Sequence, residues 1–150
     1  MRKTMPFRLV KTCLLLLALF TLTPLCAAAA ESKWVLLDEN ADTRFYYDGA
    51  HTAKSGPGRL GVTVRIVYTE EGKEDALKIL GTTPGFDKLL ETHYDYDMDC
   101  IKRKIRLLTV THLDDAGNKL KTTDLSSVSP WEEVPPGTRL DLLSDSICPH

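Results

Sequence analysis

Beyond residue 30 the apolar positions come in short runs whose period changes along the chain. Lys33–Asp38 (KWVLLD) and Thr43–Asp48 (TRFYYD) read as two short strands, separated by the turn-forming Glu39-Asn40-Ala41-Asp42. Gly49–Gly61 is the longest expected loop, exposed and mobile because it carries Ser55-Gly56-Pro57-Gly58. Leu60–Glu70 follows as a strand, with Val62, Val64, Ile66 and Tyr68 on one face and Thr63, Arg65, Val67 and Thr69 on the other. Glu71–Leu80 shifts to helical spacing: Ala76, Leu77 and Leu80 share a face, and Gly81 supplies a stop. Thr83-Pro84 has the cap-then-proline order of a second, short helix running to about Leu90.

Tyr94–Leu113 returns to extended structure. Its apolar set sits at even positions (Tyr94, Tyr96, Met98, Cys100) and then passes to odd ones (Ile101, Ile105, Leu107). A one-residue slip turns every side chain over, so a bulge near Asp99–Ile101 is expected to keep both halves facing the core. Asp114-Asp115-Ala116-Gly117-Asn118 is a hairpin turn, Lys119–Val128 returns antiparallel, and Trp131–Val134 adds one more short strand. Thr138 with Asp141 forms a capping box for a last helix, whose Leu140, Leu143, Ile147 and Cys148 share one face while Asp141 and Asp145 face water. The pattern predicts an α+β domain: an antiparallel sheet of about five or six strands, a small helical insertion at Glu71–Leu90, and a C-terminal helix presenting its cysteine to the sheet.

The first thirty residues read differently. Arg2, Lys3, Arg8 and Lys11 precede an apolar run, Leu14–Leu25, and Ala27–Ala30 offers a small-residue cleavage site. That is a signal peptide over residues 1–30, leaving 31–150 as the mature domain. A run of about twelve apolar residues is short of the roughly 20 that span a bilayer, so no integral membrane segment is expected after cleavage. The bulky Leu25 ahead of Cys26 argues against acylation there, and the expected destination is periplasmic or secreted. Cys13 and Cys26 leave with the leader, so Cys100 and Cys148 are expected to pair in the oxidising compartment. The leader removes four of nineteen basic residues and no acids, leaving fifteen against twenty-one and a net charge of −6. That balance is wrong for nucleic acid or an anionic membrane surface.

The order of these features resembles a known family. A strand ends Tyr46-Tyr47-Asp48 and a valine-rich strand covers Val62–Val67. Asp99-Cys100 then precedes the basic-aliphatic run Lys102-Arg103-Lys104-Ile105-Arg106-Leu107-Leu108, and Trp131-Glu132-Glu133-Val134 precedes Pro136-Gly137-Thr138 and a final cysteine. Over Lys33–Cys148 the chain is similar to the surface-adhesin protein E-like family of small bacterial envelope domains. The resemblance implies an antiparallel sheet with a terminal helix tied to its concave side through Cys100 and Cys148. It also implies attachment to host matrix glycoproteins, although adhesive members are displayed as lipoproteins and this leader departs from that pattern. The family motif is structural and transfers no ligand-binding residue.

Candidate chemistry is sparse. His93, Asp95, Asp97 and Asp99 alternate and share one strand face, an oxygen-rich array suited to a hard cation such as calcium, though without the glycine turn of a calcium loop. Their other reading is a solvated acidic face offset by Lys102, Arg103 and Lys104. His51, His112 and His150 fit no zinc-helix pattern, Ser126, Ser127 and Ser129 lack a nucleophile elbow, and Gly56-Pro57-Gly58 lacks the lysine of a phosphate cradle. Trp34 and Trp131 are read as core; Tyr46, Tyr47 and His51 are the candidate binding surface. No motif asks for a cofactor or marks a catalytic residue. The reading is a non-enzymatic exported envelope domain that binds a macromolecule, an envelope or extracellular protein, with oligomeric state open. Its alternative is a periplasmic small-molecule or metal-binding protein using the acidic strand.

Overall fold

In the computed structural model, which describes residues 31–81 and 83–149, the alternating segments form strands: β1 (Trp34–Glu39), β2 (Thr43–Asp48), β3 (Ala53–Gly56), β4 (Arg59–Tyr68), β5 (Leu89–Asp99), β6 (Lys104–Asp114), β7 (Lys119–Asp124) and β8 (Glu132–Glu133). Two helices, α1 (Glu70–Leu80) and α2 (Arg139–Ile147), complete the α+β fold. All strand pairs are antiparallel, in the order β1-β2-β4-β5-β6-β7. β3 pairs with the start of β4, and β8 with the start of β6. The leader and its cysteines lie outside the described residues.

Several local expectations are corrected. Gly49–Gly61 is not one long loop: Ala53–Gly56 forms β3, which turns through Pro57 and Gly58 into β4. Tyr94–Leu113 is not one bent strand. β5 ends at Asp99 and the chain reverses through Cys100–Arg103, where the Asp99 carboxylate accepts the Ile101 and Lys102 amides and Arg103 takes a left-handed φ of 49°. The switch in apolar parity therefore marks a hairpin, and the bulges fall at Leu90 and Leu108. β3 and the β5–β6 reversal bring the antiparallel sheet to eight strands, against the five or six expected. The second helix is only a 3-10 turn at Phe86–Lys88, because buried Phe86 and Leu89 draw the chain into the sheet.

The inner face of the sheet carries the core: Phe45, Val62, Val64, Met98 and Ile105, with Val134 and Leu143 packed on them. Both helices lie on this side. Leu143 of α2 and Met98 beneath it are fully excluded from solvent. Thr138 caps α2 by accepting the Asp141 amide, but the Asp141 carboxylate accepts from Gly137 and not from the cap residue, a variant of the expected box. α2 is fixed at three points. At its start, Arg139 donates to Asp38 (2.6 Å) and to Thr43 (2.7 Å) while lying over the Phe45 ring. At its middle, Arg103 pairs with Asp141 and Asp145. At its end, Cys148 is joined to Cys100, with their Cα atoms 5.5 Å apart.

α1 is capped by Thr69, whose hydroxyl accepts the Gly72 amide and donates to the Ala41 carbonyl. Gly72 is buried against the β1–β2 turn so closely that a Cβ would run into the Asp42 carbonyl. Gly72→Ala therefore tests the docking of α1. Helix propensity favours alanine by about 1 kcal/mol, but the overlap costs about 1–3 kcal/mol. The expected result is a lower urea midpoint than wild type, and a higher one would contradict the packing. The disulfide spans 48 positions, for which the loop-entropy relation gives about 4 kcal/mol. Reduction is expected to lower unfolding free energy by about 2–4 kcal/mol in chemical denaturation, and superimposable curves with and without reductant would rule that out.

Candidate functional site

Among the described residues no helix lies over the outer face of the sheet, and its centre is the odd-numbered side of β5. Glu91, His93, Asp95, Asp97 and Asp99 project there while Thr92, Tyr94, Tyr96 and Met98 project inward. A row of acids on one strand would repel itself, so the neighbouring strands determine what the row becomes. Thr63 of β4 donates to Asp95 at 2.7 Å, and Ser55 of β3 donates to Asp97 at 2.5 Å. Arg106 of β6 lies 3.3 Å from the same Asp97 carboxylate. Arg65 of β4 donates to Glu91 at 2.6 Å, and His93 meets the other Glu91 oxygen at 2.9 Å. Burial works against the Glu91 charge, but the His93 hydrogen bond and the Arg65 guanidinium hold its pKa below the ordinary glutamate value.

Both tryptophans belong to this face, which corrects the expectation of core positions. Each is half-buried because arginine stacks on it. Arg65 lies 5.4 Å from the Trp34 ring and 5.7 Å from Tyr46, and the His93 ring packs 5.2 Å from Trp34. Arg106 and Arg59 lie 5.0 and 5.6 Å from Trp131. The delocalised guanidinium is weakly hydrated, so it satisfies a carboxylate in its plane and an aromatic ring on its face at once. Of the predicted tyrosine pair, Tyr46 lies on this face and Tyr47 packs against the core.

Between Trp34 and the β5 row lies a hollow of about 330 Å³, lined by Trp34, Asp48, His51, Thr63, His93 and Asp95, with Ser32, Thr111, Leu113 and Lys119 completing it. It brings together His51 from the predicted binding loop and His93 and Asp95 from the acidic strand. Asp48, which sequence reasoning passed over, organises one wall. It is 3% exposed; its carboxylate accepts the His51 ring nitrogen at 2.7 Å and the amides of Lys33, Ala50 and His51. Burial opposes its charge, but the His51 contact and these amides prevail and hold it at about 2. Its only sequence signal is the Asp-Gly turn it opens.

The predicted metal row is thus assembled on one face, but its carboxylates are directed to protein partners, and Asp99 is taken up by the turn amides. Among the described residues no group of three or more His, Cys, Asp or Glu is arranged to hold a metal ion. His112 is buried on the inner face, its Nδ1 2.9 Å from the Thr92 hydroxyl, in a short polar chain with Tyr68. Ser126 and Ser127 lie exposed in the β7–β8 connection, and His150 falls outside the described residues. No helix of the described residues is long and apolar enough to cross a membrane.

The Asp48 wall has a pH signature. Its folded pKa lies below the free value of 3.8, so its contribution to stability is complete above pH 3.8 and fades as pH falls toward about 2. Asp48→Asn should therefore be less stable than wild type at pH 6, with the gap closing across that acidic window in urea titrations. A gap unchanged by pH would contradict the assignment.

A comparison with family models matches residues 34–149, β1 to the residue after the second disulfide cysteine, to the one described as Surface-adhesin protein E. No curated protein matches the chain.

Proposed function

The chain belongs to the surface-adhesin protein E family, and we propose from that premise that residues 31–150 are an exported, non-enzymatic envelope domain that binds a macromolecular partner through the outer face of its sheet. The leader at residues 1–30 and the Cys100–Cys148 bond both support export, since such bonds persist in oxidising compartments. The observation that carries the binding surface is an outer face that no helix of the described residues covers, with Trp34 and His51 at a hollow, Tyr46 beside Arg65 on the same face, and side chains already held by one another. Side chains ordered before binding lose little entropy on contact, and aromatic and arginine groups are the usual anchors of a protein interface. The partner class is an envelope or extracellular protein. Metal binding by the acidic strand is the weaker reading, because an ion would have to displace Thr63, Ser55 and Arg106 from the carboxylates.

The test is surface plasmon resonance of the mature, oxidised protein against matrix glycoproteins and against its own envelope fraction. Trp34→Ala and His51→Ala should weaken the strongest interaction about tenfold or more. Leu142→Ala, on the exposed side of α2, should leave it unchanged. Binding lost with Leu142→Ala and retained by both outer-face variants would overturn the proposal.

A further inference from the structure

At the end of the sheet where the β3–β4 and β5–β6 turns meet lie two hollows, with Arg59 in the wall of both. One is about 510 Å³ and mainly apolar, lined by Pro57, Gly58, Leu60, Cys100, Ile101 and Pro149, with Lys54 and Arg59 completing its wall. The other is about 240 Å³, enclosed by Arg59, Lys102, Lys104, Asp99 and Trp131. Ile101 stands at the tip of a turn with 78% of its surface exposed. Its side chain lies over Gly58, where a Cβ would have to push it aside, and Gly58 takes a left-handed φ of 66°. The backbone thus supports a large apolar side chain above a hollow and outside the core, where it contributes little to folding.

The charges around it are in excess. Among the described residues Lys54, Lys102 and Lys104 form no ion pair, although Glu133 lies opposite Lys104 in the strand register. The nearest carboxylate paired with Arg59 is that of Asp97, at 3.9 Å, and Asp97 is shared with Arg106. The Asp99 carboxylate is committed to the turn amides. An apolar hollow in the size range of small-ligand sites, bordered by the unpaired Lys54 and by Arg59, is complementary to an apolar chain ending in an anion.

We infer that this end of the sheet binds a long-chain fatty acid, its chain against Ile101, Leu60, Pro57 and Pro149 and its carboxylate at Lys54 and Arg59, the two cations of the same wall. The site lies away from the Trp34 hollow and is independent of the macromolecular binding proposed for it. One hollow of this volume suits a single chain, which favours a free fatty acid over a two-chain phospholipid.

Calorimetric titration of the mature, oxidised protein with palmitate tests this, with acetate, hexadecyltrimethylammonium and phosphatidylglycerol vesicles as parallel arms. Palmitate should bind at one per chain, and neither acetate nor the cationic amphiphile should bind. Ile101→Glu should weaken palmitate at least tenfold. Lys54→Gln, which alters an exposed side chain, should weaken it by a similar factor with the melting temperature unchanged. Equal binding of the cationic amphiphile, undiminished binding by both variants, or binding to vesicles with none to palmitate would each overturn the inference.

Discussion

A single sheet has two faces to remove from water, and the helices of the described residues cover only one of them. The inner face is closed by α1 and α2, Leu143 of α2 packing with Phe45, Val64 and Met98 of the sheet. The outer face must close itself with side chains, and it does so around carboxylates. Asp97 is 4% exposed and Glu91 9%, burial that costs several kcal/mol per ion when left uncompensated. Arg106, Arg59 and Ser55 compensate the first; Arg65 and His93 compensate the second. Trp34 and Trp131 then cover the arginines. The acidic row is thus part of the architecture, and its ordering gives the face a fixed shape.

That shape is only as rigid as the sheet beneath it, which connects the outer face to α2. The helix is held by Arg139 at its start, Arg103 at its middle and the disulfide at its end. The last two contacts converge on the β5–β6 turn, which also sets the register between Asp97 and Arg106. Strapping α2 therefore fixes the same strands from behind that the carboxylates link in front. Outward side chains can therefore change without loss of this scaffold.

Much of the frame was legible in the residues. Period-two alternation assigned Val62, Val64 and Ile66 to the core side, and β5 sorted its tyrosines inward and its acids outward. The Asp114–Asn118 turn and the Thr138 cap follow from local chemistry, and the cysteine pair from the compartment that the leader implies. What failed needed information from other strands. β3 is short, polar and exposed on Ala53, Lys54 and Ser55, so no hydrophobic period announced it. A parity switch is equally the mark of a bulge and of a hairpin, and a non-glycine Arg103 in the left-handed region concealed the turn. The tryptophans were assigned inward on size, because nothing local shows that an arginine from a neighbouring strand will cover the ring. His51, His93 and Asp48 meet only once β1, β2, β4 and β5 are in register.

The claim that the outer carboxylates are structural rests most directly on Arg65 and Glu91, which meet at 2.6 Å with most of both side chains buried. A double-mutant cycle with Arg65→Gln and Glu91→Gln, read by urea unfolding at neutral pH, isolates their coupling. A structural pair predicts about 1 kcal/mol or more, above the range of exposed ion pairs. A coupling indistinguishable from zero would mean that the row is an ordinary solvated surface.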